Sequence, residues 1–314
     1  FSPTNTGGAS TNYDLTAGAL PTGMTLDSST GTISGTPTVV GSFPITLRAR
    51  NCFNGVLTGQ SGTKAITITI SKANQSALTA LINGFSTDRV FTYSSPNGTA
   101  TLSTSGGSGT GLVSYASSNL AVCTVSGSTL TLVGGGTCTI TATKATDANY
   151  NQASDTINVT VNKANQTITF PSQTTPSRSY VQGGTFAITP VATASSGLAI
   201  SYDSNTPSVC SHPGNTTTTV TILTAGTCTI GANQGGNGNY NIATEAIQSV
   251  TINGVAPAAP TGTVGTPGDA QASISFAAPA NTGGLPILSY TATCTAAGQT
   301  TRTGTGAASP IVVG

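Results

Sequence analysis

A four-residue string sets the frame. Lys72-Ala73-Asn74-Gln75 returns as Lys163-Ala164-Asn165-Gln166, 91 residues on. Cys138 recurs as Cys228 and Asn149-Tyr150-Asn151 as Asn239-Tyr240-Asn241, both 90 residues later, while Ser114-Tyr115 and Cys123 recur as Ser201-Tyr202 and Cys210 at an offset of 87. A chain that repeats itself at such a period is built of like units, each a supersecondary assembly in its own right. Two homologous modules of about ninety residues follow. The offset slips by three within the Cys-to-Cys loop, and length variation of that kind belongs in loops.

Within each module, short alternating runs are bounded by Gly or Ser turns, as at 122–125, 129–133 and 137–143, which reads as strands. Composition agrees. Only 17 of 314 residues are charged (Lys+Arg 9, Asp+Glu 8), while about a fifth are Thr. Thr is β-branched and polar, so with Gly and Ser it forms the wet face of strands in place of charge. The predicted class is all-β: tandem sandwiches in an extended array, with strands of about ten residues giving modules near 33 Å.

Parity puts Cys123 with Val125, and Cys138 with Ile140 and Ala142, on the inward faces of their strands. A buried Cys123–Cys138 bridge is expected, with Cys210–Cys228 as its copy. Matched cysteines in β modules, without CxxC pairs, favour disulfides and an oxidising compartment over zinc.

Three resemblances refine this reading. Residues 117–145, SSNLAVCTVSGSTLTLVGGGTCTITATKA, resemble the bacterial Ig-like modules of intimin- and invasin-type surface proteins, whose commonest form has small residues where Cys123 and Cys138 stand. Residues 20–51, LPTGMTLDSSTGTISGTPTVVGSFPITLRARN, resemble the Putative Ig modules of large bacterial surface proteins. There Leu20, Met24 and Leu26 are core candidates, Asp27 to Gly31 is turn chemistry, Gly35-Thr36-Pro37 ends a strand, and Ile45 and Leu47 alternate inward. Residues 260–298 resemble a fibronectin type III domain, with Phe276 in the place of that family's core Trp and Pro286, Ile287 and Tyr290 matching its third strand. Four Ig-like modules are therefore expected: 1–70, whose opening strand should precede Phe1; 71–162; 163–253; and 254–314. The last follows a Pro-containing linker at 254–260 and is a partial fibronectin type III module, two closing strands short.

Little in this chain resembles catalytic machinery. His212 is the single histidine, in the turn sequence SHPGNTTTT, and is expected to be a solvated loop residue, not a triad member. The eight acids are too dispersed for paired-carboxylate chemistry, and Asp27, Asp147 and Asp155 lack the clustering calcium requires. Gly134-Gly135-Gly136 and Gly183-Gly184 precede strands, so they read as turns and not phosphate cradles. Tyr150 and Tyr240, each between two asparagines, are the aromatics that a sugar platform would use. A repeated Tyr more often packs at a sandwich corner or an inter-module joint.

No cofactor and no enzymatic activity are expected. A net charge of +1 offers no basic stripe for nucleic acid, and no apolar run approaches the eighteen or so residues of a membrane span. The expected role is a structural or adhesive stalk or fibre subunit at the bacterial surface, with other copies, neighbouring modules or a cell-surface glycan as partners. The alternatives are an accessory region of a secreted polysaccharide-degrading enzyme, or a carbohydrate-binding adhesin. Once two bridges form, Cys52 and Cys294 are left at opposite ends of the chain, too far apart to pair in an extended array. They are expected to find partners in a longer polypeptide or in adjacent chains.

Overall fold

The computed structural model describes the backbone of residues 12–53 and 56–314 and the side chains of residues 12–50 and 62–314. Strands and turns account for all the regular structure among the described residues. The chain divides into two compact units, Phe1–Asn162 and Lys163–Gly314.

The first unit opens with a sheet in which Asn12–Ala17 pairs with Gly41–Phe53, itself paired with Val56–Ile70 in a long hairpin. A smaller hairpin joins Met24–Leu26 to Ile33–Gly35. Ile45 and Leu47 do point inward, together with Tyr13 and Ile33. Leu20, Met24 and Leu26, expected in the core, are only half-buried. Leu20 precedes the hairpin, and within that two-stranded sheet Ile33 is the side chain that is buried. Gly31, at φ +71°, lies against the Tyr13 ring, where an added Cβ would come within 2.7 Å of ring carbon.

The turn that reaches Gly31 is held by Asp27, whose carboxylate accepts the Ser29 hydroxyl (2.6 Å) and the Ser29 and Thr30 amides (2.8 and 3.2 Å). These bonds, the Ser29 hydroxyl foremost, lower its pKa from 3.8 to about 2. Because the folded value lies below the unfolded one, the carboxylate supports the turn fully above about pH 4. That support is lost as the pH falls through about 2. An NMR titration should therefore find the Asp27 carboxyl midpoint near 2, and Asp27→Asn should remove the acid sensitivity of the Ser29 and Thr30 amide shifts. A midpoint at the usual aspartate value would refute the turn geometry.

The rest of the first unit is a two-sheet sandwich. One sheet runs Cys123–Ser126, Thr129–Leu132, Thr99–Gly106, Leu78–Ile82; the other runs Arg89–Thr92, Ala153–Asn162, Gly136–Lys144, Val113–Ser117. Pairing is antiparallel except that Arg89–Thr92 lies parallel to Ala153–Asn162, as the chain crosses from the first sheet to the second. Burial alternates along Gly136–Lys144, so Cys138, Ile140 and Ala142 are covered while Thr139 and Thr141 lie toward the outer face. Cys123 and Cys138 are on opposite sheets and bridged, with Cα atoms 6.4 Å apart.

In the second unit the same plan recurs. Ser177–Ser179 lies parallel to Ala246–Asn253, which pairs with Gly226–Asn233 and through it Ser201–Ser204. Facing it are Thr185–Ala187, Thr219–Ile222 and Cys210–Ser211. Cys210 and Cys228 are bridged across the core, Cα to Cα 5.6 Å. Ile230 occupies the place of Ile140, and both are fully buried.

The final segment has one sheet of Thr261–Gly268, Gln271–Ala277 and Ile311–Val313, and a second of Tyr290–Cys294 and Arg302–Gly306. Its core is slight: Ala292, Ile311 and Val313 are buried, with Ile274, Phe276, Tyr290 and Cys294 half-buried around them. Phe276 packs on Tyr290, ring centroids 4.7 Å apart, while Pro286 and Ile287 precede the strand instead of lying in it. The chain is thus a series of tandem Ig-like β-sandwich modules.

Candidate functional site

The two repeated motifs meet. Asp147 folds its carboxylate back over the following turn, accepting the amides of Asn149 (2.9 Å) and Tyr150 (2.8 Å) through Oδ1 and that of Thr110 (2.6 Å) through Oδ2. These bonds, that from Thr110 first, hold its pKa below the ordinary aspartate value. The turn so fixed presents its backbone to the first repeated string. Ala73 donates to the Asn149 carbonyl (2.9 Å) and accepts from the Asn151 amide (2.8 Å). Asn151 Nδ2 donates to Asn74 Oδ1 (2.9 Å), and Gln75 Nε2 donates to the Asn151 carbonyl (2.8 Å).

The second unit reproduces this clasp nearly atom for atom. Asn237 replaces Asp147 and accepts the amides of Asn239 and Tyr240 at 2.8 and 2.9 Å. Ala164 exchanges backbone bonds with Asn239 and Asn241, both 2.8 Å; Asn241 Nδ2 donates to Asn165 Oδ1 (2.8 Å), and Gln166 Nε2 to the Asn241 carbonyl (2.7 Å). Asp and Asn are interchangeable at the turn because each offers the one oxygen acceptor that the two amides need.

Gln166 is the better-buried anchor. Its Oε1 accepts from the Ser196 hydroxyl and its Nε2 also meets Gln234 Oε1 (3.1 Å). Gln166→Leu keeps the volume but takes the partner from the Asn241 carbonyl and the Ser196 hydroxyl; Asn241 is exposed and water replaces its bond, so the loss is set by the half-buried hydroxyl, about 1–3 kcal/mol. The expected result is a loss of about 1–3 kcal/mol confined to the second unit, read as a drop in its urea midpoint at unchanged m value. An unchanged midpoint would mean the clasp contributes nothing to stability.

Tyr150 is half-buried where the strand Val56–Ile70 ends and the two-sheet sandwich begins. A cleft of about 310 Å³ opens there between Pro37–Val40 and Ile70–Ser71 on one side and Ala73, Asn149 and Tyr150 on the other. Tyr240 is likewise half-buried beside its own clasp. A second cleft, about 470 Å³, lies in the final segment along Ile274, Phe276, Tyr290, Ala292 and Ile311.

The residues considered for chemistry have structural duties. His212 Nδ1 accepts the Gly214 amide (3.2 Å), which makes Nε2 the protonated nitrogen donating to the Thr217 carbonyl (3.0 Å). The ring stands edge-on to Tyr202, so this histidine organises its loop instead of merely lying in it. Asp155 Oδ2 accepts the Ala80 amide (2.8 Å), and Asp14 pairs with Arg48 and Arg50 across neighbouring strands. Among the described residues, no three His, Cys, Asp or Glu side chains come close enough to share a metal ion. Cys294 is a free, half-buried thiol, and the side chain of Cys52 lies outside the described residues.

Two arrangements were not legible beforehand. Asp203 and Glu245 approach one another over Gly231, where a Cβ would collide with a carboxylate oxygen of each. Glu245 is held by Asn205 Nδ2 (3.3 Å) and Asn233 Nδ2 (3.4 Å). Nothing local relates residues 203 and 245; cross-strand register does it, Asp203 lying opposite Gly231 and Gly231 opposite Ile247. The segment expected to be a linker, 254–260, is tied down instead. Val255 donates to Gly283 (3.0 Å) and Ala258 to Asn281 (3.0 Å), while Ala225 donates to Gly284 (2.9 Å). Gly284, at φ +88°, sits on the Tyr180 ring, where a Cβ would come within 2.6 Å of ring carbon.

The Putative Ig domain family profile matches residues 1–71. None of the curated proteins matches the chain. Among solved structures, protocadherin gammaB7 EC3-6 is similar at 16% identity, covering 92% of this chain and 81% of its own, with a TM-score of 0.27. Drosophila N-cadherin EC1-3 follows at 10% identity, 81% and 92% coverage and a TM-score of 0.31. Surface layer protein SbsC, domains 1-6, gives 15%, 95% and 45%, and 0.24. At these values none carries a functional residue over to this chain.

Proposed function

We propose that the chain is a stretch of extracellular bacterial surface protein, a non-catalytic spacer and contact array built from modules at 1–70, 71–162, 163–253 and 254–314. The observation that carries this reading is the repeated clasp. The Asn74, Gln75 and Asn151 side chains, which recur as Asn165, Gln166 and Asn241 and would mark a repeated binding code if they faced outward together, are bonded within their own modules. Supporting it are two disulfides that suit an oxidising compartment, and polar side chains engaged in turns. No helix among the described residues is long and apolar enough to cross a membrane.

Protease shaving of intact cells producing the protein tests the assignment. Release of peptides from all four modules is expected, with no hydrolysis of polysaccharide by the purified chain. Full protection in intact cells would overturn the surface role, and turnover of a polysaccharide by the chain alone would overturn the non-catalytic one.

A further inference from the structure

We infer that the cleft at the joint of the first two sandwiches is a binding site for an uncharged saccharide unit, held against Tyr150. This goes beyond a spacing role, since a spacer needs no ligand.

The cleft combines an apolar wall with unengaged hydrogen-bonding groups. Pro37, Val39, Val40 and Ile70 supply the wall, and Val39 keeps 45% of its surface exposed although it is a large apolar side chain. Tyr150 and Asn149 complete the lining, together with Thr38, Ser71 and Ala73. The clasp engages Tyr150 and Asn149 through their backbones, by Asp147 and Ala73. Among the described residues, the phenol hydroxyl, the carboxamide and the Ser71 hydroxyl find no hydrogen-bonding partner. The clasp thus fixes where these groups stand while leaving their donors and acceptors for something else. Preorganisation of this kind lowers the entropy cost of binding.

The chemistry of the lining selects the ligand. No charged residue lines the cleft, so neither an anion nor a cation would be compensated there. A purely apolar ligand would bury the phenol and carboxamide without partners, at a cost. A pyranose satisfies both walls, because its axial C–H face packs on an aromatic or aliphatic surface while its equatorial hydroxyls bond to phenol, amide and serine. At about 310 Å³ the cleft is at the small end of ligand sites, which fits a single sugar unit better than a long oligosaccharide. Both sides are needed, since one sandwich brings Val39 and the next brings Tyr150. The site therefore exists only while the joint is closed.

The test uses the full chain against an array of neutral, sialylated and sulfated glycans, with saturation-transfer NMR on the neutral monosaccharides glucose, galactose, mannose and N-acetylglucosamine. The expected result is retention of at least one neutral glycan, contacted through its terminal unit. Tyr150→Phe, which removes only the hydroxyl, and Val39→Arg, which fills the cleft from an exposed position, should each weaken binding at least tenfold. Tyr240→Phe should leave it unchanged, and all three variants should keep the wild-type amide spectrum outside the altered site. No glycan retained at millimolar concentration would overturn the inference. So would preference for charged glycans, or neutral-glycan binding that survives both Tyr150→Phe and Val39→Arg.

Discussion

Replacing Cys210 and Cys228 together by alanine is expected to lower the stability of the sandwich that contains them by about 3 kcal/mol or somewhat more. The two residues are 18 apart in sequence, and closing a loop of that size removes about 3 kcal/mol of conformational freedom from the unfolded chain in the loop-entropy account. Both side chains are fully buried, so alanine also leaves unfilled volume between the sheets. For a domain of this size each kcal/mol moves the melting temperature by about 4–8 °C, which makes the predicted drop about 12–24 °C. Differential scanning calorimetry should show the transition of the second unit moving by that amount. Cys123→Ala with Cys138→Ala, a loop of 15, should move the first unit comparably. Cys294→Ser is the control, and a transition that moved as far with it as with the bridge variant would remove the special role assigned to the inter-sheet bonds.

Ile230→Ala is expected to cost about 2–5 kcal/mol, the range for truncating a large aliphatic side chain in a packed core. Ile230 has no exposed surface and lies on the inward face of its strand between Cys228 and Ala232, against Val220 and Val250 of the same core. Neighbours tied to the disulfide have little freedom to close over the gap, which argues for the upper half of that range. Since a single domain of this size is stable by about 5–15 kcal/mol, such a loss removes much of its margin. Ile247→Ala, on the next strand but 55% exposed, should fall within about 0.5 kcal/mol of the parent. Urea unfolding of the two variants side by side decides the matter, and equal midpoints would contradict the assigned strand parity.

How much of this was legible beforehand varied with the range of the interaction. The alternation along Gly136–Lys144 announced its inward face, and the cysteines followed from it, because side chains two apart on a strand must share a face wherever the strand goes. The hairpin at Met24–Leu26 shows the limit of the same logic. Its pattern marks an inward-facing row, but how far each side chain is covered depends on what packs over it, and there Ile33 is buried while Met24 and Leu26 stay half-buried. In the final segment, Tyr290 was placed correctly on its strand, whereas Pro286 and Ile287 fall before it, proline having no amide to give to a ladder.

The candidate site divides along the same line. The repeat identified both halves of the clasp as important, without indicating that they hold each other. Lys72 to Gln75 and Asn149 to Asn151 are separated by most of a module, and only the return of the final strand brings them together. The sequence by itself determined the all-β class, the repeat and the inward rows, bridged cysteines included, since alternation and repetition are local properties of a chain whose unit must close a core. The tertiary structure alone decided the clasp pairing, the approach of Asp203 to Glu245, the tethering of 254–260 and the cleft at Tyr150. Each of these depends on register and on the meeting of distant segments, which a one-dimensional pattern does not encode.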